Sequence, residues 1–196
     1  MDAAISGHQD ARTGIAYVPD SPYVDSGENH RVATDNGSNA EDGISMLTLR
    51  SFPSGQRNCY TLPTKSGGKY LIRMMFFHGN YDGKKESSSS VQFDLHLGTN
   101  YWDTVWNVTY CWSEAVFVAW ASWVPVCLIN TDHGTPFVNT VELRLLGASL
   151  YPDVTADQSM RTYDRKNFGA NTTTRYVLTF PTLYCRIYFI FFGGTP

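Results

Sequence analysis

Six carboxylates are candidates for catalysis, because glycoside hydrolysis needs two of them held close together across a sugar. They are Asp82, Asp94, Asp103, Glu114, Asp132 and Glu142. In the strands predicted below, alternation places Asp94 and Glu142 on outward faces, where a carboxylate is ordinarily a surface charge. The sequence therefore predicts no pair of catalytic carboxylates.

Other catalytic and metal-binding motifs are missing from the sequence. It holds no Gly-x-Ser-x-Gly nucleophile elbow, no His-Glu-x-x-His pair, no glycine-rich phosphate loop after a strand and no protein-kinase motif. Five histidines occur without ligand spacing: His8, His30, His78, His96 and His133. We therefore predict a protein that is not an enzyme, with no cofactor and no metal.

The cysteines allow two interpretations. Cys59, Cys111, Cys127 and Cys185 form no Cys-x-x-Cys pair, which argues against zinc. Four thiols are enough for two disulfides in a secreted chain. For Cys59 and Cys127, which lie inside strand-like runs, we favour small buried apolar residues instead.

Aromatic residues beside polar ones are the remaining candidates for a binding site. Tyr101 and Trp102 lie next to Asp103, and Tyr81 and Asp82 lie in an Asn-Tyr-Asp-Gly turn. Such rings stack on sugars or anchor peptides. The predicted ligand-binding residues are Tyr81, Asp82, Tyr101 and Trp102, although core positions are favoured for Trp102 and Trp106.

Three Asn-x-Ser/Thr sequons predict glycosylation at Asn36, Asn107 and Asn171. At average composition about one would arise by chance. Three sequons therefore favour secretion mildly over coincidence.

The elements that position these residues are strands. Residues 91–97 alternate cleanly, with Val91, Phe93, Leu95 and Leu97 on one side. Residues 69–77 are apolar on both faces except at Arg73, as in a central strand. Further strands are predicted at 44–52, 59–62, 120–129 and 138–146, and in the last of these Val141, Leu143 and Leu145 face inward while Glu142 and Arg144 face water. Turn signals between the strands predict an antiparallel sandwich or barrel, and residues 113–121 only mimic a helix.

Composition and charge narrow the function further. The 196 residues carry 15 basic and 18 acidic groups, a formal charge of −3, without a basic cluster, so no nucleic-acid partner is predicted.

Residues 1–6 lack the pattern of a signal peptide. Residues 176–192 are almost wholly apolar, too short for a comfortable membrane span, and interrupted by Pro181 and Arg186.

Specific strings resemble the malectin-like domain of plant leucine-rich-repeat receptor kinases. The matching segments are 13–17, 24–27, 49–62 (LRSFPSGQRNCYTL), 69–73, 79–83 (GNYDG), 93–98 with Trp102-Asp103, 126–131, 134–137 and 141–146. The resemblance covers residues 11–175. Residues 1–10 are then an N-terminal remnant without a signal peptide, and residues 176–196 are an atypical apolar tail.

The resemblance implies an all-β, jelly-roll-like antiparallel sandwich, the incomplete first member of a tandem pair. It implies an extracellular module at the plasma membrane that binds cell-wall carbohydrate or a secreted peptide, with a co-receptor among its expected partners. The alternatives are a truncated fragment or structural module without its own ligand and, more weakly, a carbohydrate-active enzyme. None of malectin's sugar-contacting residues is transferred to this sequence.

Two departures from the family pattern lead to an expectation about the ends. The family begins with a signal peptide and an Ile-Asp-Cys-Gly strand, and it continues after residue 175 with a polar stretch. We expect both ends of this chain to derive from a truncated or mis-spliced gene model. Loss of an edge strand then predicts poor expression and aggregation.

Overall fold

The computed structural model describes residues 7–9, 15–32, 46–84, 90–108, 110–162 and 191–193. Strands dominate these residues, and every strand pair is antiparallel, which confirms the predicted fold class. The strands are β1 His8–Gln9, β2 Ala16–Tyr17, β3 Glu28–Arg31, β4 Thr48–Ser51, β5 Arg57–Pro63, β6 Lys69–Phe76, β7 Gln92–Leu97, β8 Asn100–Trp106, β9 Cys111–Val118, β10 Trp123–His133, β11 Phe137–Val138, β12 Thr140–Leu145, β13 Gln158–Arg161 and β14 Phe191–Gly193.

Two larger sheets form the sandwich. The first sheet has the order β5-β10-β7-β8 and the second has the order β12-β6-β9-β13-β14. Their inner faces share one core, in which the ring centroids of Phe76 on β6 and Phe93 on β7 lie 5.7 Å apart. Each large apolar side chain fully buried there contributes roughly 1.5–3 kcal/mol.

The two strands with the clearest sequence patterns have the predicted orientations. On β7, Phe93 and Leu95 are fully buried, as predicted, because alternate side chains point into the core. β6 is a central strand between β12 and β9, and both of its faces are covered: Ile72, Met74 and Phe76 lie in the main core, and Leu71 packs with Val116 and Val154 on the other face. Residues 113–121 begin in β9 and are not helical.

The prediction for β12 is wrong at two positions. Glu142 is buried rather than solvated, and Leu145 is 66% exposed rather than internal. Glu142 lies on the outer face of the second sheet, where Arg73 is its cross-strand neighbour and the Tyr17 hydroxyl donates to its Oε1 at 2.6 Å. Other parts of the chain cover this outer face, and strand alternation alone does not reveal such cover.

A third, smaller sheet has the order β11-β4-β3 and lies at the end of the sandwich where β6 ends. A buried polar cluster links it to the first sheet. The Arg50 guanidinium donates to both oxygens of Asp20 at 2.7 Å, and the Tyr60 hydroxyl donates to the same carboxylate at 2.8 Å. Burial raises the pKa of Tyr60 well above its usual value, so this hydroxyl stays a donor.

The cysteine prediction is also wrong for one pair. Cys59 and Cys127 are joined by a disulfide, whereas we favoured two buried thiols. Antiparallel pairing of β5 with β10 places the two residues directly opposite each other, with Cα atoms 4.0 Å apart. Cys111 is buried at the start of β9, and Cys185 lies outside the described residues.

Part of the predicted tail enters the fold. Phe191–Gly193 pairs with β13 and extends the second sheet by one strand, while residues 176–190 lie outside the described part of the chain. Within the described ranges, no helix has the length and apolar character needed to cross a membrane.

Candidate functional site

The first candidate region is the turn that follows β6. The Tyr81 ring packs on three other rings, with centroid distances of 4.8 Å to His78, 5.0 Å to His30 and 5.9 Å to Phe137. Burial, followed by the charge of Asp82, raises the pKa of Tyr81. Tyr81, a predicted ligand-binding residue, is therefore half-buried, with its ring packed against other rings.

Asp82 shapes the turn that carries it. Its Oδ1 accepts from the backbone N–H of Lys84 at 3.1 Å, which is an Asx-turn contact. Sequence reasoning found the turn but missed His78 and His30. Only the tertiary pairing of β3 with β4 brings His30 to Tyr81.

The second candidate region is the outer face of the first sheet, which we call the open face. Most of its side chains are exposed or half-buried. Its members are Arg57, Cys59 and Thr61 on β5, Trp123, Pro125, Cys127 and Ile129 on β10, Gln92, Asp94 and His96 on β7, and Tyr101, Thr104 and Trp106 on β8.

Cross-strand register arranges the polar members of the open face. Asp94 faces Thr104, whose hydroxyl donates to the Asp94 carboxylate at 2.6 Å and lies 2.9 Å from the Tyr101 hydroxyl. The Tyr101 ring meets His96 edge to face at 6.2 Å. The predicted binding residue Tyr101 therefore belongs to a network of hydrogen-bonding groups that reach the surface.

Charge on the open face is balanced. Arg57 donates to the carbonyl of Gly98 at 2.6 Å, and its Nη1 lies 3.4 Å from His96 Nδ1. Burial first, and then the cation of Arg57, lower the pKa of His96, while Asp94 opposes them. Near neutral pH His96 is uncharged, and one cation and one carboxylate remain.

A bulge in β8 determines which of its residues are buried. Leu95 pairs with Asp103 and the next residue of β7 pairs with Tyr101, so Trp102 is the extra residue. Trp102 and Asp103 both point inward in consequence, and Trp102 is only 2% exposed. The core position that we favoured for Trp102 is the observed one, so its ring does not lie on the open face.

Asp103 uses its buried position to join the two sheets. Ser113 Oγ donates to its Oδ2 at 2.6 Å, and an Arg161 nitrogen lies 2.5 Å from its Oδ1. Burial nevertheless raises the pKa of Asp103. Both partners, Ser113 and Arg161, belong to the second sheet, so this carboxylate has a structural role.

Two tryptophans are exposed on the open face. We favoured a core position for Trp106, but its side chain is 43% exposed, because Val105 takes the inward position at that end of β8. Trp123 was not singled out from the sequence. The inward residues Val124, Val126 and Leu128 of β10 are the signal that identifies its outward direction.

The structure does not bring the two candidate regions together. The turn between β7 and β8 lies against the Trp120 ring: a Cβ added at Gly98 would be 2.9 Å from that ring. Trp120 comes just after β9, whose end pairs with the start of β6. Tyr81 follows the end of β6, whose eight residues span roughly 25 Å. Tyr101 and Tyr81 therefore cannot contact one small ligand.

The remaining candidate carboxylates are mostly engaged. Arg73 lies between Glu114, at 2.5 Å, and Glu142, at 3.8 Å, in one row across three strands, and Arg144 also pairs with Glu142. Among the described residues, no group of three or more His, Cys, Asp and Glu side chains is placed to hold a metal ion.

One predicted glycosylation site lies in the described part of the chain. Asn107 is exposed in the turn after β8 and has a φ of 48°. Its backbone N–H donates to the carbonyl of Val91. Asn36 and Asn171 lie outside the described residues.

Comparison with known proteins places this chain in a family. The model of the malectin-like domain matches residues 2–193. A leucine-rich repeat receptor-like serine/threonine-protein kinase of Arabidopsis thaliana is 37% identical over 171 residues, which are 84% of this chain and 19% of the relative. The Arabidopsis kinase IOS1 is 35% identical over 167 residues, 84% of this chain and 18% of its own. The chain thus spans about a fifth of the length of these curated relatives.

Solved structures share the fold at low sequence identity. The ANX1 ectodomain of Arabidopsis thaliana superposes with a TM-score of 0.68 at 13% identity, covering 82% of this chain and 47% of that one. A complex of the plant peptide RALF23 with FER and LLG2 gives a TM-score of 0.57 at 14% identity, covering 78% of this chain and 44% of the matched chain.

Proposed function

This chain belongs to the malectin-like domain family, and from that premise we propose that it is a non-catalytic, extracellular ligand-binding module of a receptor-kinase ectodomain. The ligand lies on the open face. The plasma membrane is the proposed location of the whole receptor, because the relatives are receptor-like kinases.

The outward rings of Tyr101 and Trp106 are the observation that carries the proposal. They lie on one strand about 15 Å apart, and Asp94, Thr104 and His96 supply hydrogen-bonding groups beside them. A linear oligosaccharide suits such a surface, since sugar rings stack on aromatic faces while their hydroxyls bond to polar side chains. The balanced charge of the face favours an uncharged glycan.

A secreted peptide is the second candidate ligand. It is supported by the structural neighbour FER, which was solved with the peptide RALF23 and with LLG2. An extended peptide can span the same two rings, and a co-receptor is then an expected partner. Peptide and glycan arms of one screen distinguish the two ligand classes.

The absence of catalysis is part of the proposal. Asp94 is held by Thr104, Asp103 is paired with Arg161, and Glu142 is paired with Arg144. A glycosidase needs two carboxyl groups facing one sugar-sized cleft. Hydrolysis of a bound oligosaccharide by the purified chain would contradict this part.

A matched pair of tryptophans tests the binding face. Trp106 on the open face is 43% exposed, and Trp112 on the outer face of the second sheet is 41% exposed. Saturable binding of a wall oligosaccharide or peptide should fall at least tenfold in Trp106→Ala and Tyr101→Ala. It should be unchanged in Trp112→Ala. Equal loss in Trp106→Ala and Trp112→Ala would reject the open face.

The Tyr81 turn provides a second arm of the same experiment. Tyr81→Ala and Asp82→Ala should leave ligand affinity within a few-fold if the open face is the site. Loss of binding in these variants, with Trp106→Ala unaffected, would move the site to the turn. Absence of binding to any glycan or peptide would favour the alternative of a fragment without its own ligand.

Glycosylation at Asn107 is proposed as a mark of secretion. A secreted chain should lose a glycan mass in Asn107→Gln and on enzymatic deglycosylation. An unmodified Asn107 in secreted protein would contradict it.

A further inference from the structure

Two half-buried side chains of the open face, Asp94 and His96, each keep one hydrogen-bonding atom unused. They are two residues apart on β7, so both point to the same side and their Cβ atoms lie about 7 Å apart. Asp94 bonds through its Oδ1 and His96 through its Nδ1. Among the described residues, Asp94 Oδ2 and His96 Nε2 have no hydrogen-bond partner. These two atoms are therefore available to a ligand.

A short chain of hydrogen bonds holds the Asp94 carboxylate in place. The Thr104 hydroxyl donates its only proton to Asp94 Oδ1 at 2.6 Å. The Tyr101 hydroxyl, 2.9 Å from Thr104 Oγ1, must then be the donor of the second bond. Both bonds run towards Asp94, so its Oδ2 is an acceptor whose position is fixed before a ligand arrives, and less conformational freedom is lost on binding.

Arg57 determines which nitrogen of His96 carries the proton. Its Nη1 lies 3.4 Å from His96 Nδ1. A guanidinium has donors only, so Nδ1 is the acceptor and holds no proton. The neutral ring then carries its proton on Nε2. His96 therefore offers a donor beside the acceptor of Asp94, and we call these two atoms the donor–acceptor pair.

We propose that the donor–acceptor pair makes the open face selective for a sugar ring with two free hydroxyl groups on neighbouring carbons. One hydroxyl donates to Asp94 Oδ2 and the other accepts from His96 Nε2. The selection rests on the proposed function, in which the open face holds the ligand. Two hydrogen bonds of about 2.8 Å each, joined by the short separation of neighbouring hydroxyls, span the distance between the two side chains.

The surroundings of the pair favour a sugar over a peptide. The Tyr101 ring meets His96 edge to face at 6.2 Å and provides an aromatic surface beside the pair, on which the apolar face of the same sugar can stack. An extended peptide satisfies its backbone groups at the edge of a sheet, whereas Asp94 and His96 lie on the face of one.

Calorimetric titration of the whole chain with a panel of uncharged linear oligosaccharides tests the selection. Each oligosaccharide is offered with its hydroxyls free and with two neighbouring hydroxyls of every ring methylated. Methylation keeps the ring faces that stack on aromatic side chains but removes the hydroxyl that donates to Asp94. The methylated form should bind at least about tenfold more weakly. This arm uses the parent chain, so it stands even if a variant does not fold.

Variants assign the effect to the two side chains. Asp94→Asn should weaken binding of the free oligosaccharide at least about tenfold, because an amide replaces an anionic acceptor. Asp153→Asn, the same change at an exposed position after β12, should have no effect. His96→Phe should weaken binding several-fold, and His96→Gln, which keeps an N–H donor, should restore part of it. Circular dichroism checks that each variant is folded.

A measurement without ligand checks the donor. Nitrogen NMR of the His96 ring, well above the ordinary histidine pKa of about 6.5, should show a protonated Nε2 and an unprotonated Nδ1. A proton on Nδ1 would overturn the proposal, because the free nitrogen would then be an acceptor.

The binding results separate this proposal from the proposed function. Equal affinity for free and methylated oligosaccharides would overturn the selection alone. Binding that needs Tyr101 and Trp106 but is unchanged in Asp94→Asn and His96→Phe would do the same and leave the open face as the site. Binding of peptides only, lost in Tyr101→Ala, would likewise keep the face and reject the sugar. Absence of binding by the whole panel and by peptides would reject both.

Discussion

The two outer faces of the sandwich are built from strands with the same alternation but have opposite characters. On the second sheet, Glu114 and Glu142 are buried on either side of the partly buried Arg73, and the Tyr17 hydroxyl bonds to Glu142. On the first sheet, Asp94 and His96 occupy equivalent outward positions and remain partly exposed. Charged residues can thus be structural on one face and available for binding on the other.

Each face is stabilised by the kind of interaction that its environment allows. On the covered face, buried carboxylates need their arginines, since an unpaired charge there is costly. On the open face, where solvent weakens ion pairs, the Cys59–Cys127 disulfide ties β5 to β10. Removing a charged side chain should therefore lower the free energy of unfolding strongly on the covered face of the second sheet and only slightly on the open face.

Removing Arg73 should have the largest effect. Arg73→Met takes the arginine from the buried Glu114 carboxylate, while Glu142 keeps Arg144, and we expect a loss of about 3–5 kcal/mol in the free energy of unfolding. Urea denaturation followed by circular dichroism measures it. Arg57→Met, the matched change on the open face, should cost less than about 1 kcal/mol. Similar losses in the two variants would remove the distinction between the faces.

Opening the disulfide should have the next largest effect. The bond closes a loop with a sequence separation of 68 residues, and its loss in the Cys59→Ala/Cys127→Ala double variant should cost about 2–4 kcal/mol. Adding a reductant to the parent chain should lower its urea midpoint similarly and leave the double variant unchanged. A parent midpoint that ignores the reductant would show that the disulfide is not a main support of the open face.

A smaller effect separates two tyrosine hydroxyls. Tyr17→Phe removes a donor from the buried Glu142 carboxylate and should cost about 1–2 kcal/mol. Tyr101→Phe removes a hydroxyl that bonds Thr104 at the surface and should stay within about 0.5 kcal/mol. Urea denaturation measures the loss in the free energy of unfolding for both variants. A loss in Tyr101→Phe as large as that in Tyr17→Phe, or larger, would mean that Tyr17 does not cover the second sheet in solution.

Much of the fold could be predicted from the sequence because strand alternation reports which side chains share a face. Phe93 and Leu95 illustrate this, since their inward direction follows from period two alone. Glu142 illustrates the limit. Whether an outward residue meets water depends on which segments lie over the sheet, and Tyr17 is 125 residues away from Glu142 in sequence.

The candidate site was predicted less well than the fold, for three physical reasons. A bulge displaces the alternation by one residue, so Trp102 enters the core while Tyr101 stays outside. The Asn-Tyr-Asp-Gly sequence predicts the turn that carries Tyr81, but the neighbours of Tyr81, His30 and Phe137, come from strands that are distant in sequence. Trp106 shows a third difficulty, because a large aromatic residue near a strand end fits either a core or a surface interpretation equally.

The smallest predicted effect concerns the charge balance of the open face. Arg57 contributes to the lowered pKa of His96, so Arg57→Gln should raise that pKa towards 6.5, whereas Asp94→Asn should lower it further. Titration of the His96 ring by NMR measures both shifts, and Lys84→Gln, a distant cation, should leave the ring unchanged. Because the folded-state pKa lies below 6.5, any stability linked to His96 is present above pH 6.5 and is lost as pH falls through the lowered pKa. An unchanged His96 titration in Arg57→Gln would show that solvent screens this pair completely, which would sharpen the contrast with the buried Arg73 row.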